Sequence, residues 1–304
     1  MTLALEQLLN GVQFGIMLFL LAAGLTLIFG IMNVINLAHG SLYMIGAYGA
    51  ALVAARTGSF LLAIPAGLLA GFVAGMLIEF LVVRKLYDRD HLQQVLATFG
   101  LILFINEGTT MLFGRTPLFV AMPPFLSGSV EIIPGIPYPT YRIAIMIVGL
   151  LVAGGLYLLV NKTRIGMLVR AGSTHREMVR ALGVDIRLLY TIVFGLGALL
   201  AALAGLMAGP LIAVQVGMGE QVLILTFVVV VIGGLGSIRG AFYGALIVGI
   251  TDTMLRAFLP SLFKTFMAAS EADALGAGVS SMGIYLVMAL VLLIRPQGLF
   301  HAQG

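Results

Sequence analysis

The side chains able to do chemistry in this chain are few, and several lie inside apolar runs. Glu79, Glu107 and Asp252 are the carboxylates within long hydrophobic stretches, where an ionised group is costly unless it is paired or wet. Asp252 precedes Arg256 by four residues, the spacing of an intrahelical ion pair. Glu79 lies near the end of its run, where its stem could carry the charge to the interface. Glu107 follows Asn106 and is the better pathway candidate of the three. The histidines (His39, His91, His175 and His301) show no metal-ligand spacing, and there is no cysteine. Neither a Gly-x-Ser-x-Gly elbow nor a phosphate loop ending in Gly-Lys-Ser/Thr occurs. No catalytic or metal-binding residue is therefore expected. The chain should bind no cofactor of its own, and any ATP must be hydrolysed by another subunit.

Polar residues gather instead at two glycine-rich interruptions. Asn33, Asn36, His39 and Ser41 surround the first. They could line a polar route, or satisfy the backbone groups that a broken helix frees. The second is Gly233-Gly234-Leu235-Gly236, three glycines in four residues at the end of an apolar run. Such a run favours an unwound stretch whose free carbonyls must face protein or a water-lined cavity. His39-Gly40-Ser41-Leu42-Tyr43 and Arg239-Gly240-Ala241-Phe242-Tyr243 share one pattern, as interrupted helices do in transporter repeats. The candidate translocation path is thus Asn33, Asn36, His39, Ser41, Glu107, Gly233, Gly234 and Gly236.

A third feature is the polar island from Lys162 to Arg187, which carries Lys162, Arg164, Arg170, Arg176, Arg180 and Arg187. Positive charge beside membrane spans marks the cytoplasmic side. Thr174-His175-Arg176-Glu177 has the form of a capping box, and Gly183 supplies a left-handed stop. Met178, Val179 and Leu182 share one face of the short helix between them, with Arg176 and Arg180 on the other. So short a helix needs a partner surface to persist. A cytosolic motor protein docking on Met178, Val179 and Leu182 would be one.

The elements that position these residues are membrane helices. The 304 residues are 61% hydrophobic and only 9% charged, with mean hydropathy +1.14, which predicts an all-α, polytopic helical bundle rather than a soluble fold. The spans expected are roughly Leu8–Gly30, Gly40–Ala55, Phe60–Val83, Val95–Phe113, Ile143–Val160, Leu188–Val214, Val222–Ser237, Gly240–Leu259 and Leu275–Ile294. Eight or nine segments result, two of them short or broken. With alternating spans and the N-terminus outside, eleven Lys and Arg residues fall inside against five outside, which supports an N-out, C-in topology. The first basic residue is Arg56, so no positively charged signal-peptide start precedes the first span. The loop 115–141, with six prolines, cannot be helical; an ordered outer cap or a spacer would both fit it. The chain reads as one transmembrane domain, 1–304. The basic loops are inner-face anchors; no basic stripe with interleaved aromatics points to nucleic acid.

These motifs together resemble the Liv-type permeases of high-affinity branched-chain amino acid ABC importers, along nearly the whole chain. The resemblance rests on Asn33-Val34-Ile35-Asn36-Leu37-Ala38-His39-Gly40-Ser41, on Gly233-Gly234-Leu235-Gly236-Ser237-Ile238-Arg239-Gly240, and on the stretch from Arg170-Ala171 to Ala181-Leu182-Gly183-Val184. It implies a type II ABC-importer-like, multi-pass protein of the bacterial inner membrane. It further implies a second homologous permease, usually as a heterodimer, two cytosolic ATPases and a periplasmic solute-binding protein. Segment 162–187 would then be the coupling segment, with Thr174, Arg176, Glu177, Met178, Val179, Arg180, Leu182 and Gly183 meeting the ATPase. Glu177 and Gly183 keep the spacing of the family's Glu-Ala-Ala…Gly motif, while Met178 and Val179 replace the alanine pair. The rival reading is an ion-coupled secondary transporter or channel for a small polar solute, with Glu79, Glu107 or Asp252 as the coupling group.

Overall fold

The computed structural model describes residues 2–133, 135–174 and 176–300, without the side chains of Ile132, Ile133, Ser173, Thr174, Arg176 and Glu177. Its helices are α1 (Thr2–Met32), α2 (His39–Thr57), α3 (Phe60–Leu81), α4 (His91–Phe113), α5 (Thr140–Lys162), α6 (Arg164–Thr174), α7 (Arg176–Ala181), α8 (Ile186–Ala208), α9 (Met218–Gly233), α10 (Ile238–Phe263) and α11 (Ala269–Ile294). Each expected apolar segment contains a helix, but α8 ends at Ala208, short of the expected Val214, and α9 ends at Gly233, short of the expected Ser237. Among the described residues seven helices are long and apolar enough to cross a membrane, and α2 and α9 fall short of that measure. The chain is a polytopic helical membrane protein.

Local chemistry fixes where these helices begin and end. The Asp90 carboxylate accepts the Gln93 N–H at 2.7 Å and opens α4 four residues before the expected start at Val95. Asp185 accepts the N–H groups of Arg187 and Leu188 and opens α8. Ser237 accepts the Gly240 N–H at 3.0 Å and opens α10. Gly183, at φ +85°, stops the chain just beyond α7, the left-handed conformation that a side chain would resist.

The helices α1 and α8 form the centre. Within their apolar windows 83% and 67% of residues are buried, against 17% for α4, α5, α10 and α11. Around α1 lie α5, α8, α9 and α10, and α2 wedges between α3 and α8. Small residues set these distances. Gly71 and Gly75 of α3 lie on Ala202 and Ala198 of α8, and Gly205 of α8 lies directly on the Tyr43 carbonyl of α2. Without a hydrophobic drive between helices in lipid, such close van der Waals contact is what holds them together.

As its prolines require, the proline-rich loop forms no membrane helix: it folds as an antiparallel hairpin of β1 (Ser129–Ile133) and β2 (Ile136–Pro139). Proline removes ladder donors, so this two-stranded ribbon, both of whose strands are edges, can hold Pro137 and Pro139. The loop is tied down where Leu118 and Val214 exchange two backbone hydrogen bonds of 2.8 Å. These contacts order the loop at this end of the bundle. We call this end of the bundle the hairpin pole and the other the α7 pole.

Replacing Gly205 by leucine should lower the thermal unfolding midpoint of the purified protein in detergent, because overpacking of this kind costs about 1–3 kcal/mol or more. Gly155 of α5, whose Cβ position meets nothing within 4 Å, should accept alanine with an unchanged or higher midpoint.

Candidate functional site

The first break returns the chain into the bundle. Asn33 closes α1 in the left-handed region (φ +51°), its N–H bonded to the Phe29 carbonyl at 2.9 Å and its side chain exposed. The stretch that follows is not helical, and its donors find side chains of α4. Ile35 N–H donates to Gln94 Oε1 at 3.1 Å, and Leu37 N–H to Thr98 Oγ1 at 3.2 Å. Gln94 and Thr98 are 2% and 0% exposed, and Gln94 Nε2 is itself held by the carbonyls of Leu86 and Arg89. Sequence reading overlooked both residues. The one available signal was a glutamine and a threonine four apart on an apolar helix.

The helix α2 therefore begins deep in the protein. The His39 Nε2 lies 3.2 Å from the Leu21 carbonyl of α1, about 16 Å inside the end of that helix at Met32. At the same place α9 begins, after Gly217 (φ +84°). The backbones of Gly40 and Gly219 are in direct contact, so a methyl group on either would overlap the other strand of chain. Two helix N-termini thus meet inside the bundle, each presenting first-turn N–H groups and the positive end of its dipole.

Polar side chains without partners surround this meeting point. Asn36 and His39 are fully buried. Both side-chain atoms of Asn36, His39 Nδ1 and the Tyr43 hydroxyl, one turn on from His39, have no hydrogen-bond partner among the described residues. Ser41 is 4% exposed in the first turn of α2. Glu220 of α9 is held by the Asn106 amide of α4. Glu107, expected on the pathway, is instead exposed on α4 next to Asn106. Buried polar groups are normally paired, so such a cluster needs an account.

The second break lies at the α7 pole. Gly234 (φ +103°) and Gly236 (φ +81°) turn the chain between α9 and α10, and Gly233 and Gly240 pack backbone to backbone. The carbonyls freed there are taken by the C-terminal segment. Leu299 N–H donates to Ile232 O at 2.9 Å and Phe300 N–H to Gly233 O at 3.0 Å. Phe300 also stacks on Tyr243 at 5.3 Å. The alternatives of protein or water-lined cavity resolve to protein at these two carbonyls. Between the breaks is an apolar cavity of about 200 Å³, bounded by Leu25, Phe29 and Val34 on one side and Phe227, Val230 and Leu235 on the other. The two matching pentapeptides are not packed on one another. Gly40 meets Gly219, and Gly240 meets Gly233.

Two of the three intramembrane carboxylates are paired. Glu79 does not reach for the interface. It is fully buried, and its oxygens accept Arg84 Nε at 3.1 Å and Nη2 at 2.9 Å. The Tyr87 hydroxyl also donates to Glu79, and Arg84 Nη2 reaches Thr191 Oγ1 of α8 at 2.9 Å. Burial first, then the bond to Glu79, pushes the Tyr87 phenol above its ordinary range, so it stays a donor. This cluster staples α3 to α8 at the α7 pole. Asp252 pairs with Arg256 as the spacing predicts, at 2.8 Å.

The island forms two helices, and α6 was not anticipated. The exposed part of α7 differs from the expected docking face. Val179 is 5% exposed and belongs to the core, whereas Met178 and Leu182 are 61% and 78% exposed. A face shared by all three is corrected on that ground: residue 179 lies a quarter-turn from 178, on the side turned to the bundle. Arg180 and Gly183 are exposed. The capping-box residues Thr174, Arg176 and Glu177 are placed on helices by their backbone, but their side chains lie outside the described residues, as do His175 and His301 altogether.

Comparison with known proteins gives one consistent result. A family model described as branched-chain amino acid transport system / permease component matches residues 7–294. The chain is 29% identical to the high-affinity branched-chain amino acid transport system permease protein BraD of Pseudomonas aeruginosa, over 97% of this chain and 95% of that one. It is 28% identical to the corresponding permease protein LivH of Escherichia coli, over 97% and 94%. A fructose import permease protein, FruF of Bifidobacterium longum, is 29% identical over 76% of this chain and 65% of its own. No solved structure matches.

Replacing Arg84 by methionine leaves the buried Glu79 charge without its cation and should destabilise the protein by about 3 kcal/mol. The double variant Glu79→Gln with Arg84→Met should regain most of that loss. Thermal unfolding of the three proteins in one detergent checks both expectations.

Proposed function

We propose, since the chain belongs to the branched-chain amino acid transport system permease family, that it supplies half of a translocation path for branched-chain or related hydrophobic amino acids in an ATP-driven importer of the bacterial inner membrane. The observation that carries this reading is the meeting of α2 and α9 inside the bundle. Their N-termini and the unpartnered groups of Asn36, His39 and Tyr43 suit a charged head. The neighbouring apolar cavity suits a branched side chain. Gly233, Gly234 and Gly236 act as the flexible edge of that path, and Ser41 lines its start. Asn33 serves as the turn into it. Glu107, exposed on α4, faces the second permease.

Eleven basic residues at the α7 pole against five at the hairpin pole support a cytosolic α7. Met178 and Leu182 then enter a groove on one of two ATPase subunits, with Arg180 at the rim. The hairpin faces the periplasm, where a solute-binding protein delivers the ligand. The second permease is a homologue, and a paralogue is the favoured partner. A relative named for fructose import supports a solute that is not dictated by the permease alone. Selection accordingly lies largely with the binding protein.

Replacing both Met178 and Leu182 by aspartate should abolish co-purification with the ATPases while leaving the permease inserted and its unfolding midpoint unchanged. Val179→Asp should instead lose folded protein, because that side chain is buried. Uptake of leucine by the reconstituted assembly should require ATP and persist without any ion gradient. Uptake driven by an ion gradient alone would overturn the proposal.

A further inference from the structure

A crevice of about 360 Å³ opens at the hairpin pole, away from both breaks, between the first turns of α1 and the second half of α10. Its walls are Gln7 and Phe14 of α1 with Asp252, Thr253, Arg256 and Ala257 of α10. Beside it, Gly11 and Gly15 of α1 pack onto Ile250 and Ala245 of α10, so the two helices touch there and leave space along the crevice.

The chemistry of the walls is one-sided. Asp252 is 5% exposed, and both of its oxygens accept from a single nitrogen, Arg256 Nε, at 2.9 and 2.8 Å. The terminal guanidinium nitrogens of Arg256 are left without a partner among the described residues, on a side chain that is 52% exposed. The Gln7 carbonyl oxygen is engaged by Asn10 Nδ2 at 3.3 Å, which leaves the Gln7 amide to donate. Thr253 adds a hydroxyl. The polar wall thus offers donors around a guanidinium fixed in place by Asp252, whose own charge is already answered. Phe14 and Ala257 supply an apolar strip beside it. A planar guanidinium edge matches the two oxygens of an oxyanion.

We propose that this crevice binds the anionic head of an amphiphile, a carboxylate or a phosphate, on the free edge of Arg256 and the Gln7 amide, with the apolar tail along Phe14 and Ala257. Two molecules carry that chemistry at this depth: an anionic phospholipid and a hydrophobic amino acid. The second rests on the function proposed above; the first does not.

The test uses the full assembly and two variants. Arg256→Lys keeps a cation opposite Asp252 but removes the planar edge. Gln7→Leu leaves the Asp252–Arg256 pair whole, so it separates binding from folding. Native mass spectrometry from nanodiscs of phosphatidylcholine with a minor fraction of phosphatidylglycerol counts the anionic lipid retained. Leucine uptake is measured separately in phosphatidylcholine alone. Loss of one charge-assisted contact corresponds to about a tenfold weakening. Retained phosphatidylglycerol falling about tenfold in both variants supports the site with lipid as occupant. A KM for leucine raised about tenfold in both, with lipid retention unchanged, supports it with the amino acid as occupant. Unchanged retention and unchanged KM in both variants overturn the proposal. A wild-type assembly that does not move leucine would sink the amino-acid function and leave the lipid measurement to decide the crevice.

Discussion

Contact between backbones, without side chains between them, is the constraint on which this structure rests. In lipid the apolar solvent offers no drive for helices to associate, so closeness must come from shape. Gly40 on Gly219 brings the starts of α2 and α9 together inside the bundle, and Gly233 on Gly240 folds α10 back along α9. A methyl group at any of these four positions would meet main-chain atoms, which cannot rotate away as a flexible side chain can. The site exists because the chain is smallest there.

The second requirement follows from the first. A helix that starts inside a membrane protein is preceded by irregular backbone, and every N–H and C=O in that stretch must be answered within the protein. The two breaks meet this differently. The N–H groups of Ile35 and Leu37 are served by the side chains of Gln94 and Thr98 on α4, while the carbonyls of Ile232 and Gly233 are served by the main chain of Leu299 and Phe300. In both cases the partner comes from the outside of the bundle: α4 has only 17% of its apolar window buried, and the tail follows α11. Both breaks are thus held by elements at the periphery of the bundle.

The order and approximate positions of the apolar helices, though not of α6, were legible in the sequence because long apolar runs in this chain allow little else. The glycine breaks were legible too, since three glycines in four residues are incompatible with an ordinary span end. What could not be read was pairing across distance. The pattern around His39 and Arg239 suggested a transporter-like repeat but not which backbone each glycine would meet, because main-chain contact leaves no side-chain signature. Gln94 and Thr98 look like unremarkable polar residues until the chain segment opposite them is known to be unwound. Glu79 was misplaced for a similar reason: its partner Arg84 follows within five residues, but Tyr87 and Thr191 close the cluster from beyond the helix. In the loop 115–141 the six prolines excluded helix but could not name the hairpin that takes its place.

The division of α7 into an inward Val179 and an outward Met178 and Leu182 has a mechanical meaning. A helix of six residues cannot transmit force on its own strength; it must be fastened to something longer. Val179 fastens it to the core, and Gly183 and Asp185 lead at once into α8, whose first N–H groups Asp185 caps. From there α8 is a continuous rod of 23 residues, stapled to α3 through Thr191 and Arg84. Its Gly197 lies against Gly24, which also touches the His39 ring, and its Gly205 lies on Tyr43. The outward face of α7 is therefore joined, through Val179 and one continuous helix after Gly183, to the residues at which α2 begins.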